Sequence, residues 1–261
     1  MAEVGWVTAT VADLRRDPND RSERLSQLPM FTKVGVCEAR AEWLLVEGPD
    51  GYAGWAKEAQ VRLEEPPSPI WKVHAPWLRV RKRGASPILG ILPLDTRFFG
   101  EEESDEIVVT WPAREPGVVP KNSVLPASWQ GSLDELLSFA VDLVGVPYLW
   151  GGTTPFGFDC SGFVQRLFHF VFNRWLPRDS KDQALVGPKI LDLLDLLPGD
   201  LLFFPGHVGL HLGKGKMVHA SGTLGQVVIT DLYGRDPYSQ KLHSSFLFGV
   251  RVPEVLHHKP A

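Results

Sequence analysis

Phe158-Asp159-Cys160-Ser161-Gly162 runs directly into Phe163-Val-Gln-Arg-Leu-Phe-His-Phe-Val-Phe172, and this junction decides how the chain is read. Phe163, Leu167, Phe170 and Val171 recur at helical spacing, which predicts a helix from about 160 to 172 with Cys160 at its start. A thiol in that position meets main-chain N–H groups that have no intrahelical acceptor and the positive end of the helix dipole. Both favour thiolate over thiol, and the same N–H groups suit the oxyanion of a tetrahedral intermediate. The expectation is a nucleophile of lowered pKa that alkylates faster than the other cysteine, Cys37, below neutral pH. Cys37 lies in the alternating stretch 34–38 and is expected to be a small buried packing residue.

A cysteine nucleophile needs a base within hydrogen-bond reach and a third group to orient that base. His207 opens His207-Val-Gly-Leu-His-Leu212 after the Pro205-Gly206 turn, and His219 sits in Met217-Val-His-Ala-Ser221. Two strands joined by Gly213-Lys-Gly215 can bring these side chains together on one sheet face. His211 shares the face of His207 by period two, which leaves it open between a ligand, a support and an exposed residue. Cys160, His207, His211 and His219 lack the close ligand pairs typical of a zinc site, so no metal and no cofactor is expected. His74, His169, His243, His257 and His258 read as surface or packing residues.

Outward from this centre the pattern is α+β. Ser132 and Glu135 make a capping box for a helix whose apolar face carries Leu133, Leu136, Leu137, Ala140, Val141 and Val144, ended by Gly145. After the second helix come β-type runs at 200–204, 207–212, 217–220, 227–231 and 246–250, helices first and an antiparallel sheet afterwards. Upstream, Glu64-Glu-Pro-Pro-Ser-Pro69 forbids ladder or helix interior and reads as a linker. Before it, short strands at 4–11, 34–38, 43–46 and 54–56 predict a small all-β barrel over 1–63. After it, runs at 70–73, 78–81, 88–92 and 107–111 predict a second barrel over 70–126. The third domain is then 127–255.

The 261 residues, with 27 Lys+Arg against 31 Asp+Glu, carry a net charge of −4, which offers no general basic field for nucleic acid. Two cysteines exclude a multi-bridge disulfide scaffold and a four-thiolate zinc site. No stretch approaches the roughly 18 apolar residues of a membrane-spanning helix. The start, Met1-Ala-Glu-Val, has no basic segment before an apolar run, so no signal peptide and a cytoplasmic location are expected. A monomer is the simplest expectation.

Six segments carry a resemblance: Gly145-Val-Pro-Tyr-Leu-Trp-Gly-Gly152, Phe158-Asp-Cys-Ser-Gly162, Leu176-Pro-Arg-Asp-Ser180, Leu197-Pro-Gly-Asp-Leu-Leu-Phe-Phe204, His207-Val-Gly209 and Met217-Val-His-Ala-Ser221. In this order, over about 131–252, they resemble the NlpC-type cysteine peptidases. The resemblance implies a papain-like core with Cys160 as nucleophile, His207 as general base and His219 as the orienting residue. A histidine fits the third role because its acceptor nitrogen can take the proton on the other ring nitrogen of His207. Asp159 and Ser161 resemble residues that hold a D-glutamyl α-carboxylate or neighbouring backbone. Tyr148 and Trp150 would line the site, with the Tyr148 hydroxyl near the oxyanion, or else fill the space beneath the Gly-Gly loop.

At the front, Asp50-Gly-Tyr-Ala-Gly-Trp55, preceded by Glu42-Trp-Leu-Leu-Val46, resembles the closing strands of bacterial SH3-like domains. Two such barrels before the peptidase domain are similar to the murein-recycling endopeptidases. Those cleave the γ-D-glutamyl–diamino acid bond of short peptides with a free N-terminal L-alanine. The resemblance implies that Tyr52 helps wall one end of the cleft and that Asp179 and Ser180 bind the amine end, with Glu23 a further candidate. A Tyr-x-Gly-Trp hairpin can also be barrel structure alone, and the functional reading of Tyr52 is preferred. The acidic run 101–106 is expected to be a solvated loop, and no ligand is assigned to 70–126. The small murein peptide is the expected partner, with no nucleic acid and no membrane. A related thiol amidase or acyltransferase, or a non-catalytic wall-peptide-binding protein, are the alternatives.

Overall fold

The computed structural model describes residues 3–84, 87–112 and 115–253; His257, His258 and the last residues of the expected third domain lie outside them. The chain divides into two compact units, up to Trp129 and from Gln130.

The first unit is all β. A seven-stranded antiparallel sheet runs in the spatial order Arg24–Pro29, Val11–Arg15, Ala53–Lys57, Trp43–Glu47, Lys33–Arg40, Glu3–Val7, Val61–Arg62. Alternation builds its core: Val34 and Val36 point inward with Leu14, Leu44 and Val46. The rest forms a five-stranded sheet (Ile88–Pro93, Trp77–Lys82, Pro116–Pro120, Glu106–Thr110, Gly100–Glu103) and a three-stranded one (Arg97–Phe98, Trp71–Val73, Val124–Pro126).

The two SH3-like β barrels expected over 1–63 and 70–126 are not there, because among the described residues no sheet closes on itself. The large sheet has two edges. One strand ends in Pro29, which has no N–H to donate, and the other, Val61–Arg62, is two residues long and pairs with Glu3–Val7. Closure would have required these edges to pair. The two β regions also share a core across the proline-rich stretch. Met30 and Phe31, from the turn after Arg24–Pro29, pack with Val80, Phe98 and Trp111 of the second region. The Phe31 ring stacks on Trp6 at 5.6 Å and meets Trp111 edge-on at 6.4 Å.

The second unit is α+β with several helices. Helix α1 (Leu133–Asp142) begins at Ser132 with the full capping box to Glu135. Helix α2 (Cys160–Phe172) is buried over all its 13 residues and ends at Asn173 in the left-handed conformation, φ 53°. Among its buried polar residues, Gln165 donates to the Leu176 carbonyl and Arg166 to the Thr153 carbonyl, while the His169 ring stacks on Trp175 at 3.6 Å. The helix packs against a six-stranded antiparallel sheet ordered Lys189–Ile190, Phe248–Val250, Leu201–Phe204, His207–Gly213, Lys216–Ser221, Gln226–Asp231. Among the described residues, no helix is long and apolar enough to cross a membrane.

Candidate active site

Asp159 begins α2. Its carboxylate accepts from the Gly162 N–H at 2.7 Å, the bond that caps a helix and satisfies a first-turn donor. Cys160 is the first helical residue and is 8% exposed. The same carboxylate also accepts from the Gly151 N–H at 2.9 Å, and the Asp159 N–H donates to the Gly152 carbonyl at 3.0 Å. The Gly151-Gly152 loop is thereby fastened to the start of the nucleophile helix. Gly162 permits this closeness, since a Cβ there would run into the Gly152 carbonyl.

Arg178 completes the corner. Its guanidinium donates to both Asp159 oxygens, at 3.1 and 2.5 Å, and to Ser161 Oγ at 2.9 Å, and it is 3% exposed. A planar fork on a carboxylate is the geometry that gives a buried pair its strength. Gln183 Nε2 donates to the Ser161 carbonyl at 3.0 Å and Gln165 to the Leu176 carbonyl, so residues 176–183 are sewn to the first two turns of α2.

The base comes from the sheet. The strands His207–Gly213 and Lys216–Ser221 pair through Leu210–Val218 and His211–Met217, with Gly213, Lys214 and Gly215 all at positive φ in the turn. This register sets His219 beside Gly209. A Cβ on Gly209 would strike the Met217 sulfur and come within 3.0 Å of the His219 Cβ; its absence lets the imidazole lie against His207. His207 Nε2 and His219 Nδ1 are 2.8 Å apart, and His219 Nε2 is 3.0 Å from Thr230 Oγ1. With Nε2 of His207 so engaged, Nδ1 is the nitrogen left for the thiol. The Val208 N–H, next to His207, acts directly on the Cys160 sulfur, as does the Ser161 N–H.

The expected lowering of the Cys160 pKa is not found. Burial pushes the thiol up to about 11, helped by the Asp159 charge, and the pull of the two N–H groups and Arg178 does not offset it. Burial also takes His207 down to about 4; burial and then the charge of His207 take His219 down to about 3. Burial thus disfavours the charged form of the thiol and of the imidazole alike. The Tyr148 phenol is held up to about 12 by burial, then by the charges of Cys160 and Asp159, so it is a hydroxyl donor beside the nucleophile.

The remaining residues fall in several places. Trp150 is 61% exposed on the Gly-Gly loop rather than buried beneath it. Asp179 and Ser180 are half-buried at the start of the short helix Ser180–Gln183, directly after Arg178, with Asp179 4.0 Å from Lys181. Tyr52 is half-buried in the first unit, in the turn closed by the Gly48 N–H on its carbonyl. Glu23, in the same unit, pairs with Arg16 at 2.6 Å. His211 is buried and donates through Nδ1 to the Leu197 carbonyl at 3.0 Å, a support for the Pro198-Gly199 turn. Cys37 is exposed and so is not the packing residue expected: with Val34 and Val36 facing inward, parity turns it outward. Among the described residues, no group of three or more His, Cys, Asp or Glu is arranged to hold a metal ion. Arg178, Thr230 and Gly209 were not singled out by the sequence reading, although Arg178 and Gly209 lie inside motifs it quotes.

Comparison with known proteins agrees with this geometry. The model of the NlpC/P60 family matches residues 145–246. The chain is 33% identical over 224 residues to a gamma-D-glutamyl-L-lysine dipeptidyl-peptidase of Bacillus subtilis, covering 76% of this chain and 72% of the relative. It is 40% identical over 108 residues to the murein DD-endopeptidase/murein LD-carboxypeptidase MepS of Escherichia coli, covering 40% of this chain and 55% of the relative. The crystal structure of an NlpC/P60 family protein from Bacillus cereus superposes with a TM-score of 0.81 at 21% identity, covering 95% of this chain and 99% of that one, which shows a shared fold.

Proposed function

The chain belongs to the NlpC/P60 family of cysteine peptidases that act on murein peptides, and from this premise we propose that it hydrolyses the γ-D-glutamyl–diamino acid bond of short murein peptides bearing a free N-terminal L-alanine. One observation carries the choice of bond. The match to the dipeptidyl-peptidase spans 76% of the chain and so extends well into the first unit, whereas the match to the murein endopeptidase takes in only 40%. The front unit is thus shared with an enzyme of γ-D-glutamyl specificity.

In this reading His207 Nδ1 takes the Cys160 proton as the sulfur attacks the amide carbon. The oxyanion is held by first-turn N–H groups of α2 and the Tyr148 hydroxyl. His207 then protonates the leaving amine, and water, activated by the same imidazole, hydrolyses the thioester. Ser161 and the backbone around Asp159, held in place by the Arg178 fork, supply the hydrogen-bonding side that an α-carboxylate needs. Asp179, beside Ser180 at the start of the short helix Ser180–Gln183, meets the terminal ammonium group, and the reaction takes place in the cytoplasm.

The test is turnover of L-Ala-γ-D-Glu-diaminopimelate and of the same peptide with its amine acetylated. The wild type should cleave the free peptide at least tenfold faster than the acetylated one, and Cys160→Ala should lose cleavage of both. Equal rates on the two peptides would remove the amine from the proposal, and no cleavage of either would remove the bond.

A further inference from the structure

We infer that Thr230 is a positioning residue of the peptidase: its hydroxyl accepts from His219 Nε2 and so holds His219 in the tautomer that leaves His207 able to act as a base. The two outer ends of the relay decide this. His219 is fully buried, with both ring nitrogens engaged, Nδ1 with His207 Nε2 at 2.8 Å and Nε2 with Thr230 Oγ1 at 3.0 Å. Thr230 is itself buried on the strand Gln226–Asp231. It shares the side of that strand with Val228, the residue directly opposite His219, so the sheet register sets the hydroxyl at the far edge of the imidazole. The Tyr238 ring lies nearly parallel to that imidazole, 14° at 6.2 Å, and its hydroxyl is fixed by Ser221 Oγ at 2.6 Å, which limits tilting.

A neutral imidazole has one N–H and one acceptor nitrogen, so hydrogen bonds along His207, His219 and Thr230 can run in only two consistent directions. In the first, His207 Nε2–H donates to His219 Nδ1 and His219 Nε2–H donates to Thr230. His207 Nδ1 then carries a lone pair toward the thiol. In the second, every bond is reversed and His207 Nδ1 carries a hydrogen, which cannot remove the thiol proton. The first direction needs an acceptor beyond His219 Nε2, and Thr230 Oγ1 is that acceptor. Without it the His219 N–H would be buried with nothing to receive it, a costlier defect than an unused lone pair. The ring would then move its hydrogen to Nδ1 and reverse the chain. Thr230 touches no reacting atom and acts through His219 alone.

The isosteric variant Thr230→Val tests this against Thr230→Ser, which keeps the hydroxyl. Ring-nitrogen NMR of the uniformly 15N-labelled protein should show His219 protonated at Nε2 in the wild type and in Thr230→Ser, and at Nδ1 in Thr230→Val. In steady-state cleavage, Thr230→Val should lower kcat about 10- to 100-fold with KM changed less than twofold, while Thr230→Ser stays within about threefold of wild type. The inference fails if Thr230→Val keeps the Nε2 tautomer, or if Thr230→Ser loses as much kcat as Thr230→Val, which would mark a packing role. The NMR readout needs no substrate, so its outcome stands apart from the γ-glutamyl reading. Should Thr230→Val not fold, Thr230→Ala read at the same ring nitrogens decides between the same two tautomers.

Discussion

Two buried cations, one in each unit, show what separates a site from a well-made core. Lys72 in the first unit is fully buried; its Nζ donates to the Trp129 carbonyl at 2.7 Å and lies 4.9 Å over the Trp129 ring. Burial, then Arg97, takes it down to about 8, against a smaller opposing pull from Asp95. Arg178 in the second unit is as deeply buried, but its fork grips the residue immediately before the nucleophile and the hydroxyl immediately after it. Burial and a perturbed pKa are common to both regions. What distinguishes the second is that the hydrogen bonds of its cation fix the two residues that flank Cys160, whereas Lys72 donates to a main-chain carbonyl and lies over an indole.

The largest effect on this comparison should come from Arg178→Met. Removing the guanidinium strands the Asp159 charge in a buried corner, at a cost of about 3–5 kcal/mol in unfolding free energy. Pairing it with Asp159→Asn should recover part of that loss, because the uncompensated charge goes with it. Denaturant unfolding of the two single variants and the double variant measures the coupling. If the two single losses simply added, Arg178 and Asp159 would be independent core residues and the contrast with Lys72 would collapse.

A smaller effect is expected from Gly209→Ala. The new methyl has to displace the Met217 sulfur and the His219 Cβ, costing about 1–3 kcal/mol as overpacking. Because the displaced group is the orienting histidine, cleavage should fall about 10- to 100-fold, more than stability alone explains at a temperature where the variant is folded. Kinetics and a thermal melt on one sample separate the two. An activity equal to wild type would mean that the His207–His219 alignment tolerates movement.

Much of this centre was legible because its pieces are local. The start of α2 at Cys160 follows from the apolar spacing 163, 167, 170, 171, and the pairing of the two histidine strands follows from a Gly-Lys-Gly turn that only a tight hairpin uses. The partners that complete the centre lie far along the chain in ordinary-looking residues. Thr230 is one more β-branched strand residue until the register places it beside His219, and Arg178 is one more arginine until Asp159 needs a cation 19 positions away. Sheet closure failed for the same reason, since alternation reads alike in an open sheet and in a barrel, and only the pairing of distant edges tells them apart. Cys37 was within reach: the period that buries Val34 and Val36 exposes it. The reactive state of Cys160 was not, because the dipole of α2 is visible in the sequence while the burial that outweighs it depends on the whole unit.

Lys72→Met carries the smallest expected effect and the sharpest contrast. An apolar chain of similar length fills the same space without a charge to desolvate, so at neutral pH stability should change by about 1 kcal/mol or less, in either direction. The difference appears with pH. The unfolded chain holds the Lys72 proton up to its ordinary 10.5, while the folded chain releases it near 8. Between those values the unfolded state binds more protons, so raising the pH favours folding and wild-type stability gains a rising contribution there that Lys72→Met lacks. At the acid end the histidines act in the same sense. The unfolded state takes up protons below about 6.5, while His207 resists until about 4 and His219 until about 3, so both proteins lose stability together as pH falls through that window. Melting curves of wild type and Lys72→Met from pH 4 to 10 should therefore run parallel in acid, with wild type gaining relative to Lys72→Met only above pH 8. A difference that appeared in acid instead would tie Lys72 to the histidine centre, and the separation between a buried core cation and a catalytic corner would no longer hold.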